Sequence, residues 1–468
     1  MLRTLNALLT TSLVMASQVL ASPPKPTLPG DEVIRQILVQ RIDAARQATG
    51  IVVGVVAPTG RRIISHGVPA IGDGRPLNGD TVFEIGSVTK VFTSLLLADM
   101  VQRGEVSLDE PLAALLPDGK VRVPERKGEP IRLVDLSTQS SGLPQMPDDF
   151  RPIDFGDPYR HYSVEQLYAF LSAYSLPRAP GAKYEYSNLG VGLLGHALAL
   201  RAGSDYETLV RERIVAPLGM SATGVTHAAA PVRPRAVGHS WALEPVDHWT
   251  SPTLTGAGFL SSTANDLLTL LQAFIGDRKT VLDPAMKAMV ATLRSGGIPP
   301  AQKVALGWMV SATEQGEFFW HPGRTGGYQS FVGYDPGARV GVVVLANANT
   351  RVGITDIGLH LLDSRSPLAA PKPPRFGPPM ILDEREAERL VGRYEWTSEV
   401  HLSVTRESSR LFLQVGGPRK FELFADGAGG MFMKDSPGTV SFDEAASGPA
   451  RAVIVRLYGR EYRAWRTE

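Results

Sequence analysis

A chain of 468 residues is too long for one ordinary compact domain, and a hydrophobic share of 43% is enough to build a substantial core. The net charge of +1, from 48 basic against 47 acidic residues, excludes the electrostatic footprint of a nucleic-acid binder or a polybasic membrane surface. With no cysteine, the chain has no thiol nucleophile, no Cys-zinc site, no disulfide and no lipid-modified N-terminal cysteine.

The first residues read as an export signal. Arg3 precedes the apolar run "LNALLTTSLVMASQVL", and Val19 and Ala21 supply small residues for a cut after Ala21. The following "SPPKPTLPG" cannot continue a helix, and no later run is long enough to span a bilayer. The expected product is exported, periplasmic or secreted, with no integral membrane segment once residues 1–21 are removed.

Residues 22–365 are expected to form the larger domain. Gly50 to Gly67 predicts two strands joined at Thr59-Gly60, and an amphipathic helix is expected from about Val88 to Gln102, stopped by Gly104. Gln145 to Tyr162, rich in Pro, Asp and aromatics, reads as a long loop and a candidate functional rim. Helical patterns return in "SVEQLYAFLSAY", "NLGVGLLGHALALRAG" and "TANDLLTLLQAFIG". "YQSFVGYD" and "RVGVVVLANA" form a hairpin about a Pro-Gly turn. Strands early and late with helices between predict an α/β architecture whose two ends share one sheet. Residues 366–379 are a proline-rich linker, and 380–468 hold about eight short alternating runs that suit a small antiparallel barrel.

Three fragments carry chemistry. In "EIGSVTKVFTSLL", Ser87 stands at a helix start with Lys90 one turn along. Free amide donors there favour an alkoxide, and a buried, partly neutral amine can move the serine proton. The alternative is a helix-capping serine beside a solvated lysine. In "PGAKYEYSNLG", the Tyr186 phenol can relay a proton if nearby cations lower its pKa, and Asn188 can hydrogen-bond a substrate amide or cap the next helix. In "WHPGRTGGYQS", Gly323 lets a substrate backbone approach a strand edge beside His321. The backbone N–H of Arg324 can pair with that of Ser87 as an oxyanion hole. By itself this fragment also fits a glycine-rich turn.

Together the fragments resemble the serine β-lactamase and penicillin-binding protein family, whose elements are Ser-x-x-Lys, Tyr-x-Asn and Lys/His-x-Gly. The Tyr form is similar to the class C β-lactamase and D-alanyl-D-alanine carboxypeptidase branch, as are "LVDLSTQSSGLP", "LVRERIVAPLGM", "GAGFLSSTANDL" and "ALGWMV". The resemblance runs from about Asp31 to Ser364. "LVGRYEW" and "EYRAWR" are similar to the lipocalin-like barrel appended to some members.

The resemblance implies an α/β sandwich of that type with an all-β C-terminal domain. It implies an acyl-enzyme hydrolase with Ser87 as nucleophile, Lys90 as its proton partner and Tyr186 as general base and later acid. Asn188, His321, Gly323 and Arg324 would bind substrate. The implied substrates are D-Ala-D-Ala peptides, then β-lactams, then esters, with no cofactor and no metal. A non-catalytic relative that binds cell-wall peptides is the rival. The sequence departs from the class C pattern at His321, where lysine is usual, and at Pro322 and Arg324, where small hydroxyl residues are usual. Gln139 stands where relatives often have histidine. "GVGLLG" matches a dinucleotide fingerprint but lacks the preceding strand, so helix packing is the expectation. The remaining histidines have no metal-ligand spacing.

Overall fold

The computed structural model describes residues 28–225, 234–313, 316–373, 384–397, 400–417, 419–425, 430–434, 436, 438–443, 448–457 and 460–467. The expected export signal, residues 374–379 of the proline-rich linker and residues 380–383 of the expected barrel domain lie outside them. No helix among the described residues is long and apolar enough to cross a membrane.

The centre is an eight-stranded sheet. Its strands are β1 (Gly50–Ala57), β2 (Gly60–Gly67), β3 (Arg294–Ser295), β4 (Lys303–Ala305), β5 (Trp308–Thr313), β6 (Gly316–Arg324), β7 (Gln329–Asp335) and β8 (Val340–Ala346). The order across the sheet is β2-β1-β8-β7-β6-β5-β4-β3. The early hairpin therefore pairs with the late one, Val53 opposite Val344, as the order of elements predicts.

Period-two alternation splits β1 between two cores. Val52 and Val56 face a layer that includes α2 (Thr89–Gln102), α3 (Asn188–Ala202) and α4 (Ala264–Ile275). Leu268 of α4 lies against Gly54, and Leu271 against Gly341. Ile51, Val53 and Val55 face Ile34 and Leu38 of α1 (Asp31–Val39) and Ile357 of α5 (Thr355–Leu362). α2 departs from the amphipathic expectation: Thr89 through Met100 are all buried, so it is a core helix without a solvent face. The glycine motif serves packing, with Gly192 against Leu254 and Gly195 against Gly256 and Tyr206.

The segment after α5 folds back against the residues that follow α1. Arg41 Nη2 donates to Ala369 O at 3.1 Å, and Gln47 Nε2 to Lys372 O at 3.4 Å. Beyond it, eight strands from Gly392–Thr397 to Arg460–Arg466 form a closed barrel, sealed by pairing Tyr394 with Arg466. Val400, Leu402 and Val404, then Leu411, Leu413 and Val415, alternate into its interior, as their spacing predicts.

Candidate active site

Ser87 sits in a single 3-10 turn, Gly86–Val88, just ahead of α2. The N-cap position of α2 is held by Val88, not by Ser87. The Ser87 hydroxyl accepts from Lys90 Nζ at 3.0 Å. Lys90 is 1% exposed, so its amine is held inside the core layer. It also donates to Asn188 Oδ1 at 2.8 Å and to Ala257 O at 2.5 Å. Its Nζ lies 4.9 Å from the Tyr186 ring centroid, and the Tyr186 hydroxyl hydrogen-bonds with Ser87. Ser87 and Lys90 from one segment therefore meet Tyr186 and Asn188 from another at one point.

Burial sets the protonation states. Desolvation pulls the Lys90 ammonium from 10.5 down to about 7. Tyr186 moves the other way: desolvation raises its phenol well above 10, outweighing the bond to Ser87. This corrects the expectation that nearby cations lower the phenol. Burial acts more strongly on Tyr186 than the neighbouring amine does, so of the two groups Lys90 is the one that loses its proton near neutral pH.

The tyrosine fragment is anchored by its neighbours. Ser187, not Asn188, caps α3, accepting from Gly190 N at 2.8 Å and donating to Pro144 O at 2.6 Å. Asn188 is thereby free to turn its carboxamide oxygen toward Lys90.

The third fragment lies on β6. Pairing with β5 stops at Met309–Trp320, so His321 to Arg324 are bonded only to β7 and present a free edge. That edge abuts the Ser87 turn. Gly86 has φ +49°, and a Cβ there would stand 2.5 Å from Arg324 N. A Cβ on Gly323 would stand 2.1 Å from Ile85 O, so this glycine accommodates the Ser87 turn itself rather than only a substrate. Ser330 Oγ donates to the same Ile85 carbonyl at 2.7 Å.

His321 is 2% exposed and hydrogen-bonded through Nδ1 to Pro322 O at 2.7 Å. Desolvation, then the Lys90 charge, lower it to about 3, so it is neutral at pH 7. Arg324 is exposed and lines the pocket above Ser87, together with Asn188, Tyr159, Trp249 and Phe259.

The family described as Beta-lactamase matches residues 35–362. The chain is 31% identical over 347 residues to the D-alanyl-D-alanine-carboxypeptidase/endopeptidase AmpH of Escherichia coli K12, covering 69% of this chain and 87% of that protein. The chain belongs to the β-lactamase family. It is a serine hydrolase.

Solved relatives agree in fold. A class C β-lactamase aligns with TM-score 0.58 at 24% identity, over 69% of this chain and 91% of that one. An octameric penicillin-binding protein homologue from Pyrococcus abyssi aligns with TM-score 0.62 at 22% identity, over 92% of this chain and 99% of that one. The second alignment extends past the β-lactamase-family region into the barrel.

Two features of this β-lactamase-family site escape sequence reasoning. Gln139 has φ +58°; its side-chain carbonyl accepts from Ser187 N at 2.6 Å and its backbone carbonyl from Glu185 N at 2.7 Å. It therefore holds the Tyr186 segment from both ends. The second feature is the aromatic wall. Tyr159 lies in the loop expected to be a rim, but nothing in the sequence pairs it with Trp249 and Phe259, each 5.3 Å away between ring centroids.

Proposed function

We propose that this serine hydrolase is an exported D-alanyl-D-alanine carboxypeptidase-type enzyme that cleaves peptides through an acyl-Ser87 intermediate. The observation that carries the reading is the buried Lys90 amine 3.0 Å from the Ser87 hydroxyl. Binding alone does not require a desolvated amine aimed at a serine, which argues against an idle relative.

In the proposed sequence Ser87 Oγ attacks the scissile carbonyl and its proton passes to neutral Lys90. The backbone N–H groups of Ser87 and Arg324 hold the oxyanion. The C–N bond then breaks. The leaving amine takes the Tyr186 phenolic proton, which the Lys90 ammonium replaces. Water attacks the ester, and the same groups return its proton to Ser87. Asn188 orients the substrate amide as well as Lys90.

A peptide carboxylate needs a cation. His321 is neutral, and Lys90 is occupied inside the core, so the role falls to the exposed Arg324 guanidinium. The Escherichia coli relative, named as a D-alanyl-D-alanine carboxypeptidase, supports the same substrate class. β-Lactams would acylate the same serine. Export rests on the composition of residues 1–21.

The test incubates the mature protein with labelled penicillin and maps the adduct by mass spectrometry. Rates are then compared on a D-Ala-D-Ala peptide, a chromogenic cephalosporin and a short-chain ester. The reading requires an adduct on Ser87 and the highest kcat/KM on the peptide. Folded protein with an unlabelled Ser87 refutes it.

A further inference from the structure

The aromatic wall and the barrel are parts of one assembly. Tyr159 belongs to the loop between Gln145 and Tyr162, and Trp249 to the loop following Ser240. Both loops are gripped by the barrel.

The first loop sends Phe155 into the barrel core, where it is 3% exposed. Its ring lies 6.4 Å from that of Phe421 and 6.1 Å from that of Tyr462, centroid to centroid. The barrel makes room for the approach at Gly416, which has φ +58° and where a Cβ would stand 2.1 Å from Ile153 O. The second loop is held by polar contacts. Trp241 Nε1 donates to Met433 O and Ser436 O, both at 3.2 Å, and Ser240 Oγ to Lys434 O at 2.7 Å. Arg419 of the barrel pairs with Asp247 at 3.0 Å.

A buried strut joins the loops. Asp157, midway between Phe155 and Tyr159, is 6% exposed and accepts from the backbone N of Thr250 at 2.8 Å and from its hydroxyl. Thr250 follows Trp249 directly. Force applied at Phe155 is therefore transmitted to both aromatic faces that line the Ser87 pocket.

We propose that the barrel is a positioning element of the active site. By seating Phe155 it fixes Tyr159 and Trp249 as a wall, and it thereby selects substrates that place a flat apolar group beside the scissile carbonyl. Phe155 is a positioning residue, remote from the reacting atoms. A side chain that only stabilised the fold would not discriminate between substrates. The proposal rests on the acyl-Ser87 reading.

The test uses the full chain and two thioesters with one leaving group, phenylacetylglycyl- and acetylglycyl-thioglycolate. Thiol release is followed, with fluorophosphonate labelling of Ser87 in each preparation. The wild type should prefer the phenylacetyl compound. Phe155→Ala should lower kcat/KM for it about tenfold or more, mainly through KM, and change the acetyl compound less than about twofold. Phe155→Leu should restore much of the preference. Arg419→Ala, which removes one of the second loop's tethers outside either core, should reduce the same ratio and serves if Phe155→Ala does not fold. A wild type without preference overturns the proposal. So do folded variants with an unchanged ratio, or with equal losses on both substrates. An unlabelled wild-type Ser87 instead overturns the hydrolase reading beneath it.

Discussion

Lys90 Nζ donates to Ser87 Oγ across 3.0 Å from a position with 1% exposure. Removing the ammonium from water costs more than its three acceptors return, and this holds its pKa near 7. The cost shows in the pH dependence of stability. Between about 7 and 10.5 the unfolded chain binds this proton and the folded chain does not, so stability rises with pH across that window.

Lys90→Met removes that dependence. Each pH unit inside the window is worth about 1.4 kcal/mol, so the wild type should gain roughly 2–3 kcal/mol over the variant between about pH 7.5 and 9.5. Urea melts at the two pH values measure the difference. The variant should also acylate about a thousandfold more slowly or worse, since it lacks the proposed proton acceptor.

Gly323→Ala drives a methyl into Ile85 O and Ser330 Oγ, at 2.1 and 2.2 Å. β6 must then move away from the Ser87 turn, taking the Arg324 N–H with it. A loss of about 10²–10³ in kcat is expected, the size of a missing oxyanion donor, with a stability cost of about 1–3 kcal/mol. Steady-state kinetics and a thermal melt check the pair.

Arg324→Ala keeps the backbone donor and deletes the exposed cation. Charged hydrogen bonds are worth about 1.5–3 kcal/mol, so kcat/KM for a carboxylate-ended peptide should fall about 10–100-fold, and a neutral ester should lose less. Equal losses on both would assign the guanidinium a packing role.

Gln139→Gly suits the left-handed backbone at φ +58° but removes the carbonyl that receives Ser187 N. The Tyr186 segment loosens while the turn is kept. A drop in kcat of about tenfold is expected, with little change in folding stability, because relief of backbone strain offsets the lost bond.

Much of this was legible in the residues because it is local. The Ser87–Lys90 spacing is a helical turn, the barrel alternation has period two, and the Pro-Gly hairpin announces itself. The depth of α2 was not legible, because apolar residues all round a helix are scarcely distinguishable in a short window from a broad stripe. The phenol's shift was missed because burial is a property of the folded whole. The link between Phe155 and the barrel was invisible because it joins a loop to strands hundreds of positions away, and one phenylalanine in a Pro-rich loop carries no periodic signal.

The most direct measurement is the rate of Ser87 acylation by labelled penicillin as a function of pH, with the adduct mapped. The account predicts a rate that climbs about tenfold per pH unit below neutrality and levels off just above pH 7, as the lysine amine becomes free. A rate that keeps climbing toward pH 10, or label on any residue but Ser87, would contradict it.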